Sequence, residues 1–306
     1  MNVNIEPSTK TAPAFPPADF GFFLEPGFDG CEATAKVIAQ FLEKFPERNR
    51  WCVEFGAGAD SHGSTTHRLI VGEGYSAVLI EGVKEKYQYL CDLYKANQKV
   101  LVLERFVSFR AGDKDCLDRL LASMPVPADL DFLSIDIDGN DYHVWNAITQ
   151  YRPKLLMIEF NPTIPPEIKH VQPADPGINF GNSLAALVDL GKSKDYELVC
   201  VIGVNALFVR RTDYHLFGIQ DNSVQALWTR RDCVTYIFSG YDGSIVLGGC
   251  KKLPWLFDIQ LQEARMQVIP RFLQEYPFTR RNYRLFQLLK TPRALARKII
   301  KRLFKS

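Results

Sequence analysis

The chain has 306 residues, 46% of them hydrophobic and 24% charged, with a formal net charge of +2. That is the balance of a globular protein with a sizeable core, and so small a net charge implies no global attraction to nucleic acid. No apolar run approaches the ~20 residues that span a bilayer, and the seven cysteines form no Cys-x-x-Cys pair, which argues for buried, reduced thiols in a cytoplasmic protein rather than a disulfide frame or a zinc site.

Met1 to Pro17 are polar and Pro-rich, without the basic start and apolar stretch of a signal peptide, and residues 1–27 read as a flexible leader. Val37, Ile38, Phe41 and Leu42 share one helical face within 33–45. Strand and helix patterns then alternate: strands at 52–56, 77–81, 100–103, 132–136 and 155–160, with helices at 64–71, 84–97, 115–124 and 142–150 between them. Such alternation of apolar strands with helices predicts a parallel sheet buried on both faces.

The Pro-rich stretch 161–176 makes a long connection, of the kind that is usually functional. After a helix at 183–190, strands 197–203 and 206–209 are separated by so few residues that only a hairpin can join them. A mostly parallel α/β sheet that ends in an antiparallel hairpin strand is unlike a dinucleotide dehydrogenase; it is the Rossmann-like arrangement expected of class I methyltransferases. Beyond Arg211 the pattern is irregular, with one hairpin expected across Tyr241-Asp242-Gly243-Ser244. The expected division is leader 1–27, nucleotide-type domain 28–211, accessory region 212–279 and basic tail 280–306.

The first strand runs into Glu54-Phe55-Gly56-Ala57-Gly58-Ala59-Asp60, and the second ends in Glu81. A Gly-rich turn and an acid at those two places mark the nucleotide end of a doubly wound sheet. The dinucleotide fingerprint needs a third glycine, where this chain has Ser61. Glu54 and Asp60 also flank the turn, where a pyrophosphate would be repelled. A sulfonium and an ammonium would be attracted, so S-adenosylmethionine suits the turn better than a nicotinamide cofactor.

These segments, with Phe132-Leu133-Ser134-Ile135-Asp136-Ile137-Asp138-Gly139-Asn140-Asp141-Tyr142 and Ile158-Glu159-Phe160-Asn161, resemble the FkbM-type S-adenosylmethionine-dependent methyltransferases over residues 28 to 210. The resemblance implies a class I fold and O-methylation of a sugar, glycan precursor or related small metabolite. The loop Gly58-Ala59-Asp60-Ser61-His62-Gly63 departs from the family's aromatic-Asp-Gly pattern. The cofactor set read from the sequence is Glu54, Gly56, Gly58, Asp60, Glu81 and Asp113. A catalytically silent relative that binds a glycan or a membrane-associated partner is the alternative.

Asp136 and Asp138 lie two apart at the end of the fourth strand, and Glu159 and Asn161 two apart at the end of the fifth. Residues i and i+2 of a strand share a face, so these groups converge where open α/β sheets bind ligands. Such a group can hold a hard cation such as Mg²⁺ or act as general base on an acceptor hydroxyl. The segment from Ile135 to Tyr142 is also similar to the metal-binding strand of cation-dependent catechol-type O-methyltransferases, which would make Asp136, Glu159 and Asn161 the ligands. Asp136, Asp138 and His143 form the catalytic set, with His170 a further base. Asp141 reads as the N-cap of the following helix.

From Arg280 to Ser306 there are ten Lys or Arg and no acid. Thr291-Pro292 is a helix start, and Leu295, Ala296, Ile299, Ile300, Leu303 and Phe304 make one apolar face. This predicts either an interfacial helix at the inner face of an anionic membrane or a helix packed on protein.

Overall fold

The computed structural model describes residues 31–57, 64–229, 232–253, 256 and 259–290. The expected leader, Gly58, Asp60 and the tail beyond Lys290 lie outside these residues. The chain divides into two compact units, Met1–Thr229 and Arg230–Ser306.

The first unit is a seven-stranded sheet: β1 (Trp51–Phe55), β2 (Ser76–Glu81), β3 (Val100–Glu104), β4 (Phe132–Ile135), β5 (Leu155–Glu159), β6 (Tyr196–Ile202) and β7 (Asn205–Arg210). Their order is β3-β2-β1-β4-β5-β7-β6. β1 to β5 are parallel, and β7 runs antiparallel to both β5 and β6. This is the class I methyltransferase sheet expected from the sequence. The order reverses between β1 and β4, and such a switch point opens a crevice at the carboxyl ends of the two strands.

One face of the sheet is covered by α1 (Cys31–Leu42), α2 (His67–Glu73) and α3 (Lys84–Tyr94). Val37, Ile38, Leu42, Leu69, Ile70 and Leu90 pack there on alternate residues of the strands, including Cys52, Leu79, Phe132, Leu155 and Met157. Phe217 closes that core with edge contacts to Phe41 and Phe45. Residues 212–229, expected with the accessory region, thus belong to the first unit. α4 (Leu117–Ala122), α5 (Asp141–Ala147) and α6 (Leu184–Ser193) complete its α/β alternation, and Trp145 of α5 stacks on Phe208 of β7 and Tyr196 of β6. β3 departs from burial on both faces: it is the sheet edge and Leu101 is exposed.

Two helices differ from expectation for a local reason. α2 begins at His67, not Ser64, because Ser64, Thr65 and Thr66 turn their hydroxyls onto Glu54. α5 ends at Ala147 because Asp118 of α4 takes the N–H groups of Thr149 and Gln150.

The second unit holds a hairpin of β8 (Thr235–Ser239) and β9 (Ile245–Gly249), as expected, and a short ribbon of β10 (Lys252–Leu253) and β11 (Ile259–Gln260). α7 (Val224–Leu227) closes the first unit; α8 (Glu263–Met266) and α9 (Arg280–Lys290) belong to the second.

Candidate active site

Register places the acids. Phe55 pairs with Ile135 and Ile135 with Ile158, so Gly56, Asp136 and Glu159 end three neighbouring strands side by side. Gly56 has φ +72°, and a Cβ there would stand 1.7 Å from the Asp136 carbonyl oxygen. The turn therefore closes onto the tip of β4, and only glycine fits.

Glu54 is buried and its carboxylate is saturated. Oε1 accepts from the N–H and hydroxyl of Thr65 at 2.9 and 2.7 Å, and Oε2 from Ser64 Oγ at 2.7 Å and from Thr66 Oγ1. A carboxylate has about four lone-pair sites, so Glu54 contributes its charge and the shape of the loop rather than a free acceptor. Nothing in the sequence order marked Ser64-Thr65-Thr66 as its partners.

Glu81 is also buried, but only Oε1 is engaged, by the Val83 N–H at 2.8 Å. Its second oxygen takes no bond from the described residues. Beside it, the Phe106 ring would stand 2.3 Å from a Cβ on Gly82, and Phe106 is itself 74% exposed. An acceptor oxygen and a flat apolar face thus lie together at the end of β2. Asp113 sits in the exposed connection between β3 and α4, where it accepts from Ser108 Oγ.

Asp136, Asp138 and Glu159 form one cluster, with a carboxylate oxygen of each within 4.8 Å of the others. None takes a hydrogen bond or ion pair from the described residues. Burial first, and then the charges of Asp141, Asp138 and Glu54, push Asp136 up to about 7. Burial and the Asp136 charge push Glu159 up to about 9. Asp138 is held at φ +55°, a conformation that non-glycine residues adopt at a cost.

What holds it there is Asp141. Its buried carboxylate accepts from the N–H groups of Ile137 at 2.9 Å and Gly139 at 2.8 Å. The N-cap position belongs to Asn140, and Asp141 is the first helical residue. Its side chain turns back because the turn after β4 leaves two buried donors that no strand can pair. Burial raises Asp141 to about 6 against the pull of those two bonds.

Asn161 stands apart from the carboxylates chemically. Its Oδ1 accepts from the N–H and hydroxyl of Thr163, and its Nδ2 donates to the Phe180 carbonyl. The amide fastens the 161–183 connection. The same connection uses His143, whose Nε2–H donates to the Gln172 carbonyl at 2.8 Å. Since a carbonyl only accepts, that bond assigns the Nε2 proton, and His143 anchors the loop with it. His170 is exposed, and its N–H donates to Ser183 Oγ.

Gln172 is the organiser the sequence did not mark. Its Oε1 accepts from Phe180 and Gly181 N–H, its Nε2 donates to Ile178 O, and its own N–H donates to Asn182 Oδ1. Asn182 Nδ2 in turn donates to Gly139 O, and Asn140 Nδ2 to Asp175 O. The long loop is therefore clamped onto the turn that carries Asp138.

The cluster has a cost that pH exposes. Between their ordinary values and about 7 and 9, folded Asp136 and Glu159 bind protons that the unfolded chain has lost. Stability must fall as pH rises through that window. Glu159→Gln is expected to raise stability by on the order of 2 kcal/mol at about pH 8.5 and to change it little near pH 5. Scanning calorimetry at the two pH values measures this; a variant no more stable than wild type at the higher pH would refute it.

No family model matches the chain, and no curated protein matches its sequence. Similar solved structures include an S-adenosylmethionine-dependent methyltransferase from Aquifex aeolicus, at 13% identity and TM-score 0.37, over 64% of this chain and 97% of that one. The N-terminal domain of EvdMO1 with SAH bound gives 13% identity and TM-score 0.38, over 63% and 82%. The CurJ carbon methyltransferase gives 9% and 0.40, over 58% of this chain and 53% of that one, so about half of its length is spanned. At these identities and scores nothing about chemistry passes from them to this chain, whose own side chains carry the case.

Proposed function

We propose that the protein is an S-adenosylmethionine-dependent O-methyltransferase acting on a hydroxyl of a sugar, glycan precursor or related small metabolite. The observation that carries this is the cluster of Asp136, Asp138 and Glu159, unpaired among the described residues at the switch point of a class I sheet. Asp136 and Glu159 are half-buried and Asp138 is exposed; carboxylates crowded together without a counter-charge are costly, and a cationic ligand offsets that cost. S-adenosylmethionine carries a sulfonium and an ammonium, and supplies an electrophilic methyl group. The second oxygen of Glu81 suits a ribose hydroxyl, and the Phe106 ring suits a purine. Gly58, Asp60 and Asp113 complete the proposed cofactor set.

The acceptor hydroxyl is a poor nucleophile until its proton is taken. Asp136, raised to about 7, matches the range in which a general base is most effective. It would take the hydroxyl proton as the bound donor supplies its methyl group to the oxygen and leaves as the neutral thioether. Little charge develops, so most of the acceleration comes from in-line placement. The clamped 161–183 loop is placed to position the acceptor.

The donor set also fits a hard divalent cation. A carboxylate oxygen of each residue lies within 4.8 Å of the others, and all-oxygen ligands are what such a cation takes. Asp136, Asp138 and Glu159 would hold it, with Asn161 committed to the loop. Such an ion lowers the pKa of a coordinated hydroxyl.

Titration calorimetry tests the cofactor. Wild type is expected to bind S-adenosylmethionine, and Glu81→Gln to weaken binding by about 10- to 100-fold, the worth of a charged hydrogen bond. No heat at millimolar ligand would reject the enzyme reading in favour of a silent binding protein. A labelled-methyl assay against glycan precursors, read by mass spectrometry, then names the acceptor.

A further inference from the structure

The two units carry opposite charge. Met1–Thr229 has 21 Lys and Arg against 30 Asp and Glu, a formal −9, whereas Arg230–Ser306 has 16 against 5, a formal +11. The near-neutral whole conceals a strongly basic module of 77 residues.

That module also exposes apolar side chains. On α9, Leu285 and Leu289 are one helical turn apart, 41% and 47% exposed, with Arg280, Arg281 and Arg284 on the same helix. Elsewhere in the unit, Tyr241 and Tyr276 stack edge to face and both are exposed. The sequence that follows α9 repeats the composition, with six further basic residues, no acid, and apolar residues at helical spacing.

We propose that the second unit docks the protein on an anionic lipid surface. Its basic groups meet the headgroups, and the leucines of α9 enter the boundary below them. Both halves of the pattern are needed for this occupant: basic charge is drawn to anionic lipid, and aliphatic side chains bury in the acyl boundary. A nucleic-acid surface would use the charge but offers no apolar region for leucine. The acidic first unit is repelled by the same surface, which confines docking to the second. The inference stands independently of the methyltransferase reading.

Co-sedimentation of the full chain with vesicles decides it. Vesicles of about 30% phosphatidylserine in phosphatidylcholine are expected to bind at least about 10-fold more tightly than phosphatidylcholine alone. Raising salt from about 0.15 M to 1 M shortens the screening length from ~8 to ~3 Å and should remove most of that preference. Leu285→Glu with Leu289→Glu is expected to reduce binding about 10-fold with unchanged circular dichroism. If that variant misfolds, Arg297→Gln with Lys298→Gln, Lys301→Gln and Arg302→Gln tests the charge separately, with the same loss expected. Equal affinity for both vesicles, or binding untouched by the variants, would overturn the proposal. So would displacement from the vesicles by polyuridylate, or self-association through the α9 face in sedimentation velocity.

Discussion

Asp136→Asn is expected to lower the methyl-transfer rate by about two to four orders of magnitude while making the ligand-free protein more stable above pH 7. The rate loss follows from removing a positioned base and one of the three carboxylates available to a cation. The stability gain follows from what surrounds Asp136. Its carboxyl is half-buried, takes no hydrogen bond from the described residues, and faces Asp138, Asp141 and Glu54. Folding raises it from the ordinary carboxylate range to about 7. Its stability contribution is therefore complete in acid and lost as pH rises through that value. At about pH 8 the native wild type carries an ionised Asp136 among like charges, whereas asparagine carries none, a difference on the order of 2 kcal/mol. Single-turnover kinetics and urea denaturation at pH 5 and 8 read the two effects. A variant within threefold of wild-type rate would remove Asp136 from the chemistry. A variant destabilised at both pH values would show that its oxygen has a structural partner instead.

Gly56→Ala has the largest expected effect on the fold. Two costs add. At φ +72° an L side chain pays on the order of 1–2 kcal/mol, and the new Cβ would overlap the Asp136 carbonyl oxygen at 1.7 Å. The carbonyl belongs to the backbone at the tip of β4, and the neighbouring turn is clamped by Asp141 and by the 161–183 loop, so it has little room to retreat. A loss above about 4 kcal/mol, or failure to accumulate folded protein, is expected. Urea denaturation measures it, and a loss under about 1 kcal/mol would contradict the contact. A milder structural variant, with Asp136 displaced but the sheet intact, would still lose activity, since reacting groups misplaced by about 1 Å cost on the order of 100-fold.

Gly56 shows how far sequence alone carries. A strand, a glycine turn and an acid at the end of the next strand were legible because each is a local pattern with a local cause. The glycine could be assigned to the turn, and its lack of a side chain to a close approach. What a side chain there would meet is the carbonyl of Asp136, 80 positions along the chain, and no local pattern encodes that. Glu54 was legible as an acid at the site, but its four hydrogen bonds come from three hydroxyls and one backbone N–H in a segment that reads as the first turn of a helix. Asp141 read as a cap because Asp before an apolar helix favours that use; the buried N–H groups of Ile137 and Gly139 turned it the other way.

The sequence by itself determined the alternation of apolar strands and amphipathic helices, the hairpin that ends the sheet, and the acids at the ends of β2, β4 and β5. These follow from periodicity and from connection length, which act over a few residues. Tertiary structure decided which acids face one another, that Asn161 and His143 secure the long loop, and that Gln172 and Asn182 bind that loop to the Asp138 turn. Those choices depend on strand register and on buried donors finding acceptors tens of residues away, which become fixed only when the sheet assembles.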